Sequence, residues 1–436
     1  MKSALFAAAA AAALVLPVAH AQTSEVVRYD GAQIWTGEGF ETGWITVHNG
    51  VIVDPDTRPD VIVEMDGGYL TPAFVNGHQH TPRTTLENSW QFMQAGVFYV
   101  WNPNMVGSLM TEERAAFFAR PDTIEVRESA GGVTTPGSHP EPLYANFLGP
   151  QVYGGKEMYR DAFHYARDAE EIELTLDRLQ QDGADFVKAY LMASERYEPP
   201  GEDGEGGSTS GLDPALVPDL VRAAQARGLP IGFHVETRLD FRTIAEAGAD
   251  FAMHLPGYSA TSRREDDFRL LTEADAQAAA EAGLAVLPTT LVGAIRLREA
   301  IEDPEREVEQ DAIDGARSLQ AENIAVLHQA GVTVLPGTDG NPGSVPSEVK
   351  HWVEIGALSD QDAAAALLNA ANYLFPEIGA GCLEPGCRAD FLVLEDDPTA
   401  DINAIDTIGM RVKSGAVLNE ADYQPAPEDD AEDDAP

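Results

Sequence analysis

ADFVKAYL, residues 184–191, has the β-branched and aromatic texture of a buried strand, yet a lysine stands inside it at position 188. Lysine is among the side chains least often buried without a partner, and the chain holds only five lysines against 23 arginines. Position 188 therefore calls for a chemical reason. Downstream, Asp213-Pro214 opens the helical run ALVPDLVRAAQARG, with Asp as N-cap, Pro as first helical residue and Gly228 as the stop. The alternation then repeats through LPIGFHVET, the helix FRTIAEAG, ADFAMHLPG, LAVLPTTL, a long charged helical region from about 293 to 330, and VTVLPGTDG. Upstream, TPAFVNGHQH, AGVFYVWNPN and GGVTTPGSHPE supply three earlier strands, eight in all. Near-continuous apolar strands alternating with Ala-rich helices mean a parallel sheet. Eight such units predict an α/β fold, a (β/α)8 TIM barrel over residues 71–375.

The two ends read differently. Residues 26–70 are short β-rich runs broken by Gly, Asp and Asn turns, without a helical period, and β texture returns after residue 380 in RADFLVLEDD and RVKSGAVL. These ends are expected to pair as one small discontinuous β-sandwich domain, residues 22–70 with 376–420. An insertion, YEPPGEDGEGGSTSG at 197–211, follows the fourth strand on the face where barrels build their sites. It reads as a lid or as a plain flexible loop.

The first residues, MKSALFAAAAAAALVLPVAHA, place Lys2 before an apolar run that ends in Ala19-His20-Ala21. This is the pattern of a signal peptide over residues 1–21, cleaved after Ala21, and the run falls short of the ~20 residues of a spanning helix. A periplasmic or secreted location is expected, with no membrane span in the mature chain. Losing Lys2 takes the formal charge from −44 to −45, which argues against nucleic acid and anionic membranes as partners. Six acids between residues 428 and 434 mark 421–436 as an acidic disordered tail. Cys382 and Cys387, in GCLEPGCRAD, flank a turn and either close a small disulfide loop or remain two thiols.

The chemistry gathers at the strand ends. His78 and His80 form an H-x-H after the first strand, and residues two apart on a strand face one side. Lys188 ends strand four, His234 strand five, His254 strand six and Asp339 strand eight. Imidazoles and a carboxylate are good ligands for zinc and similar cations. An ammonium is not, because it has no free lone pair. A neutral lysine amine can take up carbon dioxide as a carbamate, which is anionic and offers two oxygens to bridge two cations.

This ordered set resembles the amidohydrolase superfamily of metal-dependent hydrolases, the imidazolonepropionase-like and Xaa-Pro dipeptidase-like members among them. The residues that carry the likeness are PAFVNGHQH, GADFVK, GFHVE, AGADFAMH, GVTVLPGTD and LEPGCRADFLVLEDDP, spread over nearly the whole mature chain. The resemblance implies two divalent metal ions, with zinc the expected element. His78, His80 and Asp339 would hold one, His234 and His254 the other, and carbamylated Lys188 would bridge them. It implies attack on an amide carbonyl by a metal-bridging hydroxide, with Asp339 as the catalytic base and then acid.

Two positions depart from that pattern. Asn76 stands where many such hydrolases carry Asp, and Glu236 follows His234 in an H-x-E register, whereas the deaminase branch places its Glu three residues after the histidine. Arg83 is a candidate clamp for a substrate carboxylate or a partner in a salt bridge. His139, Tyr190 and Glu236 are further candidate substrate contacts, and Trp101 a candidate lining residue. His48, His164, His328 and His351 lack strand-end context and read as structural. The expected function is hydrolysis of an amide (C–N) bond in a small-molecule substrate such as a dipeptide or N-acyl amino acid. Deamination of a heterocycle, lactone or ester hydrolysis, and non-catalytic metal or ligand binding stand as alternatives.

Overall fold

The computed structural model describes residues 24–80, 82–144, 158–198, 211–260, 268–303, 308–340 and 345–424. The leader, nearly all of the insertion at 197–211 and most of the acidic tail lie outside the described residues. In chain order the strands are β1 Val27–Trp35, β2 Phe40–His48, β3 Val51–Val53, β4 Val61–Glu64, β5 Tyr69–Pro72, β6 Phe74–Asn76, β7 Val97–Met105, β8 Glu125–Ala130 and β9 Gly132–Thr134. They continue with β10 Phe163–Tyr165, β11 Val187–Tyr190, β12 Ile231–His234, β13 Phe251–Ala252, β14 Ala285–Val286, β15 Phe391–Leu394, β16 Ile408–Lys413 and β17 Ala416–Val417. The result is a mixed α/β fold with parallel sheets.

The strands of the two chain ends share one hydrogen-bonded sheet, ordered β17-β16-β15-β5-β1-β2-β3, with β4 pairing β1. Its seam is the antiparallel pairing of β5 with β15, Thr71 opposite Leu392. Tyr29, Ile45, Val47, Leu70, Phe391 and Val412 form its core. One shared core thus buries side chains from both ends of the chain. The disulfide between Cys382 and Cys387 closes the turn leading into β15. Among the two readings of these cysteines, the bonded one is observed.

The central strands are parallel and apolar on both faces. One sheet runs β6-β7-β8 and the other β10-β9-β11-β12-β13-β14. The third expected strand, GGVTTPGSHPE, forms only near its start, as β9, and β8 ahead of it was not foreseen. Glu125–Ala130 pairs with β7, the chain turns at Gly131 with φ +89°, and Gly132–Thr134 then pairs with β11 and β10. β10 was not foreseen, since its three residues are too few to carry a period. The segment VTVLPGTD forms a single bridge, Val286 with Val334, rather than a ladder. Leu335 N donates to Val286 O at 2.8 Å, and Gly77 N to Pro336 O at 2.8 Å, so this segment lies hydrogen-bonded between β14 and the residues after β6.

Helices cover the strands as their caps direct. Asp213 accepts from Ala215 N ahead of the helix Val217–Ala226, and the helix Arg238–Glu246 carries a reciprocal capping box between Thr237 and Asp240. The charged region after LAVLPTTL is two helices, Leu291–Glu302 and Gln310–Gln329. No helix among the described residues is long and apolar enough to cross a membrane.

Candidate metal centre

Lys188 sits in the middle of β11 and is 1% exposed. Its cross-strand partners are glycines on both sides, Gly132 of β9 and Gly232 of β12. A Cβ at Gly132 would fall 2.4 Å from the Tyr190 ring, so glycine there leaves room for Tyr190 beside the lysine. The Lys188 amine has no hydrogen-bond partner among the described residues, and burial lowers its pKa to about 7 against the opposing pull of Asp339.

His78 and Asp339 are brought together by backbone. Thr338 N and Asp339 N both donate to His78 O, at 3.1 and 2.8 Å. Gly337 allows the approach, since a Cβ there would lie 2.9 Å from that of His78. Asn76, fully buried, ties the same two segments. Its Nδ2 donates to Thr338 Oγ1 at 2.9 Å, and its Oδ1 accepts from His78 N at 3.2 Å. The departure noted in the sequence is therefore a hydrogen-bonding clamp.

The cluster then assembles from separate strand ends. Ligand atoms of His78, His254 and Asp339 lie within 4.8 Å of one another. His80 Nε2 is 3.0 Å from Asp339 Oδ1, and the His234 and His254 rings are 4.3 Å apart. His254 Nδ1 and Thr289 Oγ1 are 2.7 Å apart, which fixes the ring and turns its other nitrogen to the cluster. Both ring nitrogens of His78 are buried without a hydrogen bond among the described residues, the nearest carboxylate oxygen, Asp339 Oδ1, lying 3.7 Å from Nε2. A neutral imidazole left so is costly, and a cation on its free lone pair removes the cost. The residues present fit a divalent metal. Burial lowers the pKa of His78, His234 and His254, which keeps the imidazoles neutral and free to ligate. Burial pushes the Asp339 carboxyl up, but the His80 hydrogen bond, with the Lys188 charge among the further causes, outweighs it and holds it low.

Of the candidate substrate contacts, three come to this cluster. The His139 ring lies 5.0 Å from Tyr190 and 5.5 Å from His234, and burial lowers its pKa to about 3. The Tyr190 ring is 5.3 Å from Lys188 Nζ. Glu236 Oε1 sits 3.3 Å from His234 Nε2, with 40% of its side chain exposed. Arg83 is exposed, and its guanidinium makes no contact with the cluster among the described residues. Trp101 does not line the site. It is buried in the core beneath it, stacked on Phe186 at 4.4 Å, because β7 is enclosed along its whole length. His164 and His351 are buried in hydrogen bonds to Ala130 and Gln320, away from the cluster.

Sequence reading missed Tyr258, whose ring stacks on His254 at 4.1 Å. It follows His254 by four residues in a turn, and no strand period points to it. Thr289, in LPTT at the seventh strand end, was equally silent, although strand-end position alone was a signal.

No family model matches the chain. Over 202 residues it is 34% identical to the imidazolonepropionase of Ralstonia nicotianae, a match spanning 44% of this chain and 42% of that enzyme. Among solved structures, it is similar to a Xaa-Pro dipeptidase with bound methionine in the active site, at TM-score 0.68 and 15% identity over 90% of this chain and 100% of the other. It is also similar to the ochratoxinase of A. niger, at TM-score 0.68 and 17% identity over 90% and 95%. At such identities these likenesses carry the fold. The chain is thus similar over part of its length to an imidazolonepropionase and shares its fold with solved amidohydrolases, while the ordered histidines, lysine and aspartate lie together at the strand ends.

Proposed function

We propose that the protein is a binuclear metal-dependent amidohydrolase that cleaves an amide bond of a small molecule, a dipeptide or N-acyl amino acid, in the mouth of a closed (β/α)8 barrel. The observation that carries this reading is the buried Lys188 amine, unpartnered among the described residues, beside the His78, His254 and Asp339 cluster. His78, His80 and Asp339 would hold one cation and His234 and His254 the other, with Lys188, as its carbamate, a ligand they would share. With a pKa of about 7 the amine has a neutral fraction to add to carbon dioxide. Its lone pair forms the N–C bond, one proton leaves, and the product is a carbamate anion. The hydrogen bonds linking β14, VTVLPGTD and the chain after β6 support closure of the barrel.

Two divalent cations held there supply acidified water and a polarised carbonyl. The chain does the rest. Asp339, held in its charged form by His80, accepts a proton and returns it to the leaving nitrogen. His139 and Tyr190, on the side of His234, line the space for the acyl group. The relatives' names support C–N hydrolysis: an imidazolonepropionase, a Xaa-Pro dipeptidase and a molinate hydrolase. The leader pattern at residues 1–21 and the Cys382–Cys387 disulfide support export to an oxidising compartment.

The test is turnover by zinc-loaded protein on dipeptides, N-acyl amino acids and aminated heterocycles, reading primary amine and free ammonia separately beside Lys188→Ala. Amine release that the variant loses is expected. Ammonia from heterocycles moves the reading to deamination, and turnover of lactones alone moves it to ester chemistry.

A further inference from the structure

The chain carries 72 acidic and 28 basic residues, so a cation facing the candidate site stands against the balance of the whole molecule. Arg296 is a cation whose charge acts on Glu236 and Tyr258 beside that site. It lies on the helix Leu291–Glu302, which begins where the chain leaves the seventh strand segment, next to Thr289 and its hydrogen bond to His254. That helix is pressed onto the turn bearing Tyr258: a Cβ at Gly293 would fall 2.4 Å from Tyr258 O and 2.6 Å from Gln320 Nε2. Residues three apart share a helix face, so Arg296 stands one turn further along the face that meets Tyr258. Tyr258 in turn stacks on His254.

The charge of Arg296 reaches this pocket. The Glu236 carboxyl is held low first by its hydrogen bond to His234 and further by the charges of His234, His139 and Arg296. Burial raises the Tyr258 hydroxyl, and Arg296 opposes it. Yet Arg296 is exposed and makes no hydrogen bond or ion pair with any described residue, Glu236 included. Glu236 is already engaged by His234 at 3.3 Å. A guanidinium whose charge reaches a site and that is left without an anion matches a ligand carboxylate, which it can hold with two parallel hydrogen bonds.

We infer that Arg296 is the residue that selects substrates bearing a free carboxylate, holding that group over Tyr258 while the amide lies at the cluster. Arg83, the candidate from sequence, has no such relation to the site. This inference rests on the amide-hydrolase reading and narrows it to N-acyl amino acids and dipeptides with an unblocked C-terminus.

The experiment measures acetate release by zinc-loaded protein from a panel of N-acetyl amino acids and from their methyl esters, in the parent protein, Arg296→Ala, Arg296→Lys and Arg298→Ala. Reading acetate confines the assay to the N-acyl bond. The parent is expected to prefer the acids, and Arg296→Ala to reduce the acid-to-ester ratio of kcat/KM about 10- to 100-fold, through KM. Arg296→Lys is expected to restore part of it, and Arg298→Ala, two residues on along the helix, to keep the parental ratio. A ratio that Arg296→Ala leaves at the parental value, with both substrates turned over, overturns the inference and leaves the hydrolase reading standing. Absence of acetate from every substrate removes N-acyl amino acids from the hydrolase reading instead. In that event calorimetric binding of N-acetylalanine decides the inference: binding by the parent that Arg296→Ala loses upholds it, and binding equal in the two, or absent from both, overturns it.

Discussion

His80 Nε2 lies 3.0 Å from Asp339 Oδ1, although 258 positions separate the two residues in the sequence. One carboxylate oxygen thus touches the H-x-H of the first strand from the last strand segment. His80 is the more open of the pair, with 40% of its side chain exposed, so the contact faces the mouth of the site.

Replacing Asp339 separates ligation from proton transfer. Asp339→Asn keeps an oxygen toward the cluster and removes the proton acceptor. The expected result is retention of most bound metal with kcat reduced about 100- to 10,000-fold, read by metal analysis alongside turnover. Equal loss of metal and activity would make Asp339 a ligand without a catalytic part.

Lys188 allows a rescue that an ordinary buried lysine does not. Lys188→Ala leaves a space flanked by Gly132 and Gly232 and removes the carbamate, so activity should fall about 100-fold or more and metal content with it. Added acetate or propionate, a carboxylate small enough for that space, should restore part of both. Mass spectrometry of the native protein, held in bicarbonate, should show a 44 Da adduct; no adduct and no rescue would leave Lys188 a structural amine.

Asn76 carries both segments of the His78–Asp339 junction through Thr338 Oγ1 and His78 N, and it is fully buried. Asn76→Ala removes the acceptor of a buried N–H. Metal-free protein should lose about 1–3 kcal/mol in denaturant unfolding, and the variant should also bind metal more weakly because His78 is no longer held. Unchanged stability would mean that the Thr338 and Asp339 backbone bonds to His78 O suffice.

Much of this was legible because strand ends are readable. H-x-H, the terminal histidines of IGFH and DFAMH, and the lysine inside an apolar run are local signals, and parallel strands place their ends on one face. What stayed hidden depends on turns and helices that meet only in space. Tyr258 reaches His254 through a turn, the helix of Arg296 approaches that turn only because Gly293 allows it, and Arg83 looked better placed because it is near His80 in the chain. The change of partner at Gly131, from β8 on β7 to β9 on β10, has the same origin, since a change of neighbour leaves no mark on one strand's own pattern.

Glu348 is a buried carboxyl at the start of the helix that carries Arg296. It accepts from Thr290 N at 2.8 Å, Thr290 Oγ1 at 2.9 Å, Leu291 N at 2.5 Å and Trp352 Nε1 at 3.0 Å. Burial outweighs these donors and raises its pKa from 4.5 to about 7. An acid whose folded pKa is raised stabilises the fold fully below the unfolded value. Between pH 4.5 and about 7 the unfolded chain gives up the proton that the fold keeps, so this contribution is lost as pH rises, and it is constant above. Glu348→Gln cannot ionise and lacks the fall. The stability of metal-free parent minus that of the variant should therefore drop by a few kcal/mol, order of magnitude, across that window, measured by urea unfolding at closely spaced pH. A difference that stays flat would mean that the four donors keep Glu348 ionised, and that it anchors the helix as a charge.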